Sequence, residues 1–194
     1  MDWKITMRVV PIQPFHYYHV YNRGVNRGPI YFSNENYRFF LDRLGKYFNI
    51  DTAWIVSYCL MPSHFHLLVY PLTEEFGNQV MQPLSVSYTK AINKRQTRTG
   101  PLFQGPYQAR LVDKDRYLIH LSRYIHLNPV SSGLVNHPEE WEFSSYRDYI
   151  GIRKGGITNP DFIIEYFRDS SGYVDFVLSD SESGADLPVN LRID

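Results

Sequence analysis

Two strand-like runs, Ala53 to Leu60 and His64 to Tyr70, are separated only by Met61-Pro62-Ser63. Runs of this length, rich in β-branched and aromatic residues and joined through a proline-containing turn, predict an antiparallel hairpin. The second run carries His64-Phe65-His66. Side chains alternate faces along a strand, so both imidazoles project to one side and Phe65 to the other.

Two imidazoles on one face are half of a metal site, and equally a pair of strand histidines hydrogen-bonded to backbone. Imidazole binds divalent transition metals and, beside an oxygen donor, accepts harder ions such as Mg²⁺ or Mn²⁺. A third ligand would have to come from elsewhere, and Tyr124-Ile125-His126-Leu127-Asn128 offers one. Residues four apart share a helix face, so Asn128 can present its carboxamide oxygen where Tyr124 presents its hydroxyl. Tyr117 lies seven residues earlier on the same face, and periodicity alone does not choose between the two tyrosines. His120 is a conceivable proton acceptor for Tyr124, although a packing or DNA-contacting role suits it better; His126 points away and reads as structural.

His16 to Asn22 reads as a first strand and Arg23 to Gly28 as a glycine-containing turn. Ser33 stands at an N-cap position, with Asn36 where a capping box would place Glu or Gln, opening a helix to about Phe48. Tyr37, Phe40, Leu41, Leu44 and Phe48 recur at helical spacing and should face the core. Phe76 to Thr97 reads as a second helix with Pro83 at or near its start. Leu102 to Val112 reads as a further strand or irregular ribbon. Asp113 or Asp115 caps a third helix, which Asn128-Pro129 should close because the residue before proline disfavours the helical region. The order strand, helix, strand, strand, helix, strand is that of an α+β fold, a ferredoxin-like split βαβ core with an antiparallel sheet, its helices on one face and the tyrosine helix following.

The zero formal charge hides an asymmetry: residues 1–138 carry 15 Lys and Arg against 8 Asp and Glu, residues 139–194 carry 5 against 12. The basic front part is the nucleic-acid candidate, densest over Lys90, Lys94, Arg95, Arg98, Arg110, Lys114 and Arg116. Residues 1–150 are expected to form the catalytic domain and 151–194 an acidic extension, with Lys154-Gly155-Gly156 as a hinge and the last fifteen or so residues disordered. The single cysteine, Cys59, excludes an intramolecular disulfide framework and reads as a buried thiol. No signal peptide or membrane-spanning run is evident, so the expectation is a cytoplasmic, soluble protein without a membrane partner.

Five blocks in order, Tyr18-His19-Val20-Tyr21-Asn22-Arg23-Gly24, Cys59 to Val69, Gly100 to Gly105, Arg123 to Val130 and Trp141 to Tyr146, resemble those of the HUH-superfamily single-tyrosine transposases, in particular the REP-associated subgroup. The resemblance implies metal-dependent cleavage and strand transfer of single-stranded DNA through a 5′-phosphotyrosine intermediate. Tyr124 is then the nucleophile, four residues before a metal-binding Asn, with His64, His66 and Asn128 holding Mg²⁺ or Mn²⁺. It implies substrates with hairpins, such as repetitive extragenic palindromes; Arg23 and Gln104 beside the matching blocks, and Lys90, Lys94, Arg95, Arg98 and Arg110 of the basic stretch, are the candidate DNA contacts, the alternative for the latter being a solvated helix face. It leaves open whether Tyr124 serves its own chain or a partner in a homodimer. The rival readings are a non-catalytic nucleic-acid-binding protein on the same fold and a phosphoesterase that activates water instead of tyrosine.

Overall fold

A computed structural model describes residues 12–179 and 187–191. Along the chain run β1 (Tyr17–Arg23), α1 (Asn34–Tyr47), β2 (Ala53–Met61), β3 (His64–Pro71), α2 (Gln82–Arg95), β4 (Gln108–Val112) and α3 (Asp115–Ser131). Three smaller helices follow: α4 (Tyr146–Tyr149), α5 (Asp161–Ile164) and α6 (Ser170–Leu178). The strands form one sheet in the order β2-β3-β1-β4, antiparallel at every pairing. This is the split βαβ order expected from the sequence.

Pro62 and Ser63 make a two-residue hairpin turn, which sets Met61 opposite His64 and Cys59 opposite His66. Farther along, Ile55 pairs with Val69 and Ser57 with Leu68, so Val56 is the extra residue of a bulge. Alternation then sorts the sheet into two faces. Tyr18, Val20, Phe65, Leu67 and Val69 bury against Phe40 and Leu44 of α1 and Leu84, Tyr88 and Ile92 of α2. Cys59, Met61 and Leu68 bury against Leu118, Leu121 and Ile125 of α3. The two core helices thus share one face, and the tyrosine helix crosses the opposite face, the one that carries the histidines.

The start of α2 matches expectation, whereas α1 and α3 depart from it at their ends, α3 opening at Lys114 with no side-chain cap from Asp113 or Asp115. The Ser33 side chain does not cap α1; its hydroxyl donates to Glu35 Oε2 at 2.6 Å, and it is Asn36 Oδ1 that accepts from a backbone N–H, that of Phe32, at 2.9 Å. Pro83 sits in the first turn of α2, just after a π-helical turn at Gly77–Met81, where its missing N–H costs little. α3 does not stop at Asn128 but continues through Pro129 to Ser131. Pro129 forfeits one backbone hydrogen bond near the helix end, while its ring is buried and the Ser132 N–H still donates to Asn128 O at 3.0 Å. Asn128 consequently keeps helical register with Tyr124.

The chain beyond Gly151 packs into the same apolar cluster as α3. Ile163, Tyr173 and Val177 are buried there, as are Leu187 and Leu191. The buried Arg123 guanidinium donates to the carbonyls of Phe176, Val177 and Ser179 at 2.8–3.1 Å, tying α3 to the end of α6. Lys154-Gly155-Gly156 is held beside Asp148, whose carboxylate accepts from Arg153 and from the Thr158 hydroxyl, each at 2.6 Å. A Cβ at Gly156 would come within 2.7 Å of that carboxylate. Of the last fifteen residues, for which disorder is expected, 187–191 form a turn with Leu187 and Leu191 buried, while positions 180–186 and 192–194 lie outside the described residues.

Candidate active site

The hairpin turn and the helix register decide which side chains meet. On β3, His64 and His66 face α3, with ring centroids 4.9 Å apart. On α3, Tyr124 sets its ring edge-on to His66 at 5.7 Å and to His19 at 6.4 Å. One turn later, the Asn128 carboxamide donates to Tyr124 O at 3.3 Å on the side of α3 that faces His64, whose Nδ1 lies 3.1 Å from the Ser63 hydroxyl. Tyr124, His64, His66 and Asn128 are therefore brought together within one chain. Tyr117 stands two turns away, its ring flanked by Lys114 and Arg116. His120 packs on Phe176, and the buried His126 bonds the Tyr173 and Ser145 hydroxyls at 2.7 Å each.

Burial keeps the imidazoles of the site uncharged at neutral pH. Desolvation pushes His64 down to about 4, opposed by the facing Asn128 carboxamide and helped by the Arg23 charge. Desolvation likewise pushes His19 to about 3 and His66 well below the ordinary histidine range. Neutral imidazoles offer lone pairs, which is what metal ligation requires. His66 Nε2 is buried without a hydrogen-bond partner, an uncommon state for a polar atom and the one a ligand atom awaiting its ion would show. Among the described residues no three His, Cys, Asp or Glu side chains cluster as metal ligands. An ion here would therefore depend on the oxygen of Asn128 to complete a set with His64 and His66, and two imidazoles plus one oxygen fit Mg²⁺ or Mn²⁺.

Comparisons with known proteins give the family and the fold. The family described as IS200-like transposases matches residues 14–128, ending on Asn128. The chain belongs to that family. A Haemophilus influenzae protein named as a REP-associated tyrosine transposase is 28% identical over an alignment of 102 positions that covers 47% of this chain and 57% of that relative. This IS200-like transposase chain thus spans a little over half the length of that curated relative. A solved structure of a REP-associated tyrosine transposase bound to a REP hairpin superposes with a TM-score of 0.56 at 17% identity, covering 78% of this chain and 92% of that one, and so shares its fold. Among the described residues no helix is long and apolar enough to cross a membrane.

The residues expected to contact DNA separate into two groups. Arg23 pairs with His64 across β1 and β3 and donates to Gln104 Oε1 at 2.7 Å, so both stand at the rim of the site. Arg110 pairs with His19 across β1 and β4 and lines an open groove of about 490 Å³ together with Lys114, Tyr117 and Leu191. Lys90, Lys94 and Arg95 are exposed on α2, which covers the other face of the sheet, and Arg95 pairs with Glu35 at 3.6 Å. The Arg98 guanidinium donates to Asn93 Oδ1 and Pro101 O, bracing the loop that leads to Gln104.

Sequence reasoning passed over His19 and Tyr21. Both alternate with Arg23 on the histidine-bearing face of β1, and Tyr21 pairs directly with His66. The available signal was the i, i+2 spacing within the quoted Tyr18 to Gly24 block, but which strand lies beside His66 is a long-range pairing that no local pattern states.

Proposed function

We propose that this IS200-like transposase cleaves and rejoins single-stranded DNA beside hairpins, at palindromic repeat sites. The observation that carries the reading is the placement of Tyr124 edge-on to His66, with Asn128 one helical turn later on α3, on a face rimmed by Arg23, Gln104 and Arg110. The name of the Haemophilus relative and the hairpin in the structural neighbour support the choice of substrate.

The Tyr124 oxygen attacks phosphorus, the bond from phosphorus to the 3′ oxygen breaks, and the phenolic proton passes to water. The products are a 5′-phosphotyrosine link and a free 3′-OH. The link conserves a phosphate ester, so a later 3′-OH reverses the step and rejoins strands without ATP. When bound by His64, His66 and Asn128, Mg²⁺ or Mn²⁺ supplies polarisation of the scissile phosphate. The chain's own contribution is positional: α3 holds the phenol against the sheet, and burial keeps the imidazoles neutral. The groove with Arg110, Lys114 and Tyr117 combines cations with an aromatic platform, the pairing that suits a single strand. A single chain supplies nucleophile and ligands together.

The test is to incubate the protein with hairpin-bearing single-stranded DNA labelled 3′ of the cleavage position. A labelled band at protein-plus-DNA mass on a denaturing gel supports the proposal. Cleavage that leaves only free 5′-phosphate ends points to activated water and overturns it.

A further inference from the structure

His66 is joined through its other nitrogen to a chain of hydrogen bonds that leaves the sheet. His66 Nδ1 lies 3.0 Å from His19 Nε2, and His19 Nδ1 lies 3.0 Å from the Leu191 carbonyl oxygen. The two rings are within 23° of parallel, and both residues are completely buried.

The direction of each bond follows from the last partner. A peptide carbonyl only accepts, so His19 Nδ1 carries a hydrogen. An imidazolium at His19 would be a buried charge, and both of its nitrogens already face neutral groups, an imidazole and a peptide. His19 is therefore neutral, and its Nε2 is an acceptor. His66 Nδ1 must donate to it, which leaves the lone pair of His66 on Nε2, the atom that is buried without a partner. Free imidazole side chains prefer the opposite tautomer, with the hydrogen on Nε2, and in that form His66 could not ligate through the atom that lies across its ring from His19.

Resting on the metal-site reading above, we infer that His19 is a positioning residue that locks His66 in its Nδ1–H tautomer, and that the Leu191 carbonyl locks His19 in turn. A backbone atom far beyond residue 128, where the family match ends, thereby helps to present a ligand lone pair to the site. Partners that orient metal-ligating histidines are commonly carboxylates or carbonyls; here a second histidine transmits the orientation from a carbonyl.

The direct test reads the tautomers in the metal-free, full-length protein, by two-bond ¹H–¹⁵N correlation spectra of histidine-labelled samples. Both His19 and His66 should show the Nδ1–H pattern. His19→Phe keeps a ring of similar size but removes the acceptor; His66 should then lose its Nδ1–H pattern, and Mn²⁺ affinity measured by EPR should fall by about 10- to 100-fold. His19→Gln restores an acceptor and a donor, and should recover both the His66 pattern and affinity to within a few-fold. An Nε2–H pattern at His66 in the wild type overturns the inference, as does unchanged Mn²⁺ affinity in a folded His19→Phe. If His19→Phe does not fold, the wild-type spectrum and the His19→Gln protein decide. A wild type with the expected tautomers that binds no Mn²⁺ would count against the metal-site reading and not against the hydrogen-bond chain.

Discussion

Ending the chain after Gly151 removes the most acidic part of the sequence, and charge alone would make that segment dispensable. Packing says otherwise. Ile163, Tyr173 and Val177, each no more than 1% exposed, leave with it. Burying a side chain of this size is worth roughly 1.5–3 kcal/mol. Three of them, reduced by up to about 40% for a compact denatured chain, come to roughly 3–9 kcal/mol. The Arg123 guanidinium also loses its carbonyl acceptors while remaining on a helix packed against the sheet. A domain of this size is stable by about 5–15 kcal/mol in total, so the truncated chain should be strongly destabilised at 25 °C, with its midpoint lowered. Urea titration followed by circular dichroism, alongside the full chain, measures it. A truncated protein that unfolds cooperatively at the same midpoint would refute the claim that the acidic extension is part of the domain.

Chelation with EDTA should stop cleavage and Mg²⁺ or Mn²⁺ restore it, with Asn128→Ala, His64→Ala and His66→Ala each impairing Mn²⁺ binding in calorimetry; full activity in EDTA would sink the metal assignment. Stability should fall in acid. His64, held near 4, and His19 and His126, each held near 3, have folded values below the unfolded value near 6.5, so their contribution is complete above about pH 6.5 and is lost as pH falls towards 3. Urea midpoints at pH 7.5, 6 and 5 should decline in that order, and a flat series contradicts the burial argument. Replacing Arg23 and Arg110 together should lower the slope of log affinity for a single strand against log salt by about 1.4, taking roughly 0.7 per phosphate contact; an unchanged slope would place the strand elsewhere.

What could be read in the sequence was local. The hairpin around Pro62-Ser63 and the period-two alternation of β3 put His64 and His66 on one face without any knowledge of the rest of the chain. The spacing of Tyr124 and Asn128 needed only helical periodicity, and it survived because Pro129 falls near the helix end. What escaped depended on distant pairing: β1 lying beside β3, which brings His19 to His66, and Leu191 returning to that strand. Net charge also misled on geometry, since Lys90, Lys94 and Arg95 adjoin Arg110 in sequence yet lie across the sheet from it. The fate of residues after Gly151 was hidden because the acidic excess outweighed their apolar runs, Phe162-Ile163-Ile164 and Tyr173 to Leu178, and only α3 shows what those runs cover.

The claim that Tyr124 is the nucleophile is tested most directly by mapping the covalent link. The protein–DNA adduct formed on hairpin-bearing single-stranded DNA with Mg²⁺ or Mn²⁺ is digested with protease and nuclease, and the modified peptide is sequenced by mass spectrometry. The account predicts a nucleotide 5′-phosphate on Tyr124, no adduct from Tyr124→Phe despite near-normal DNA binding, and an unaffected adduct from Tyr117→Phe. A 5′-phosphate on Tyr117 or any other residue, or an adduct that persists in Tyr124→Phe, would contradict it.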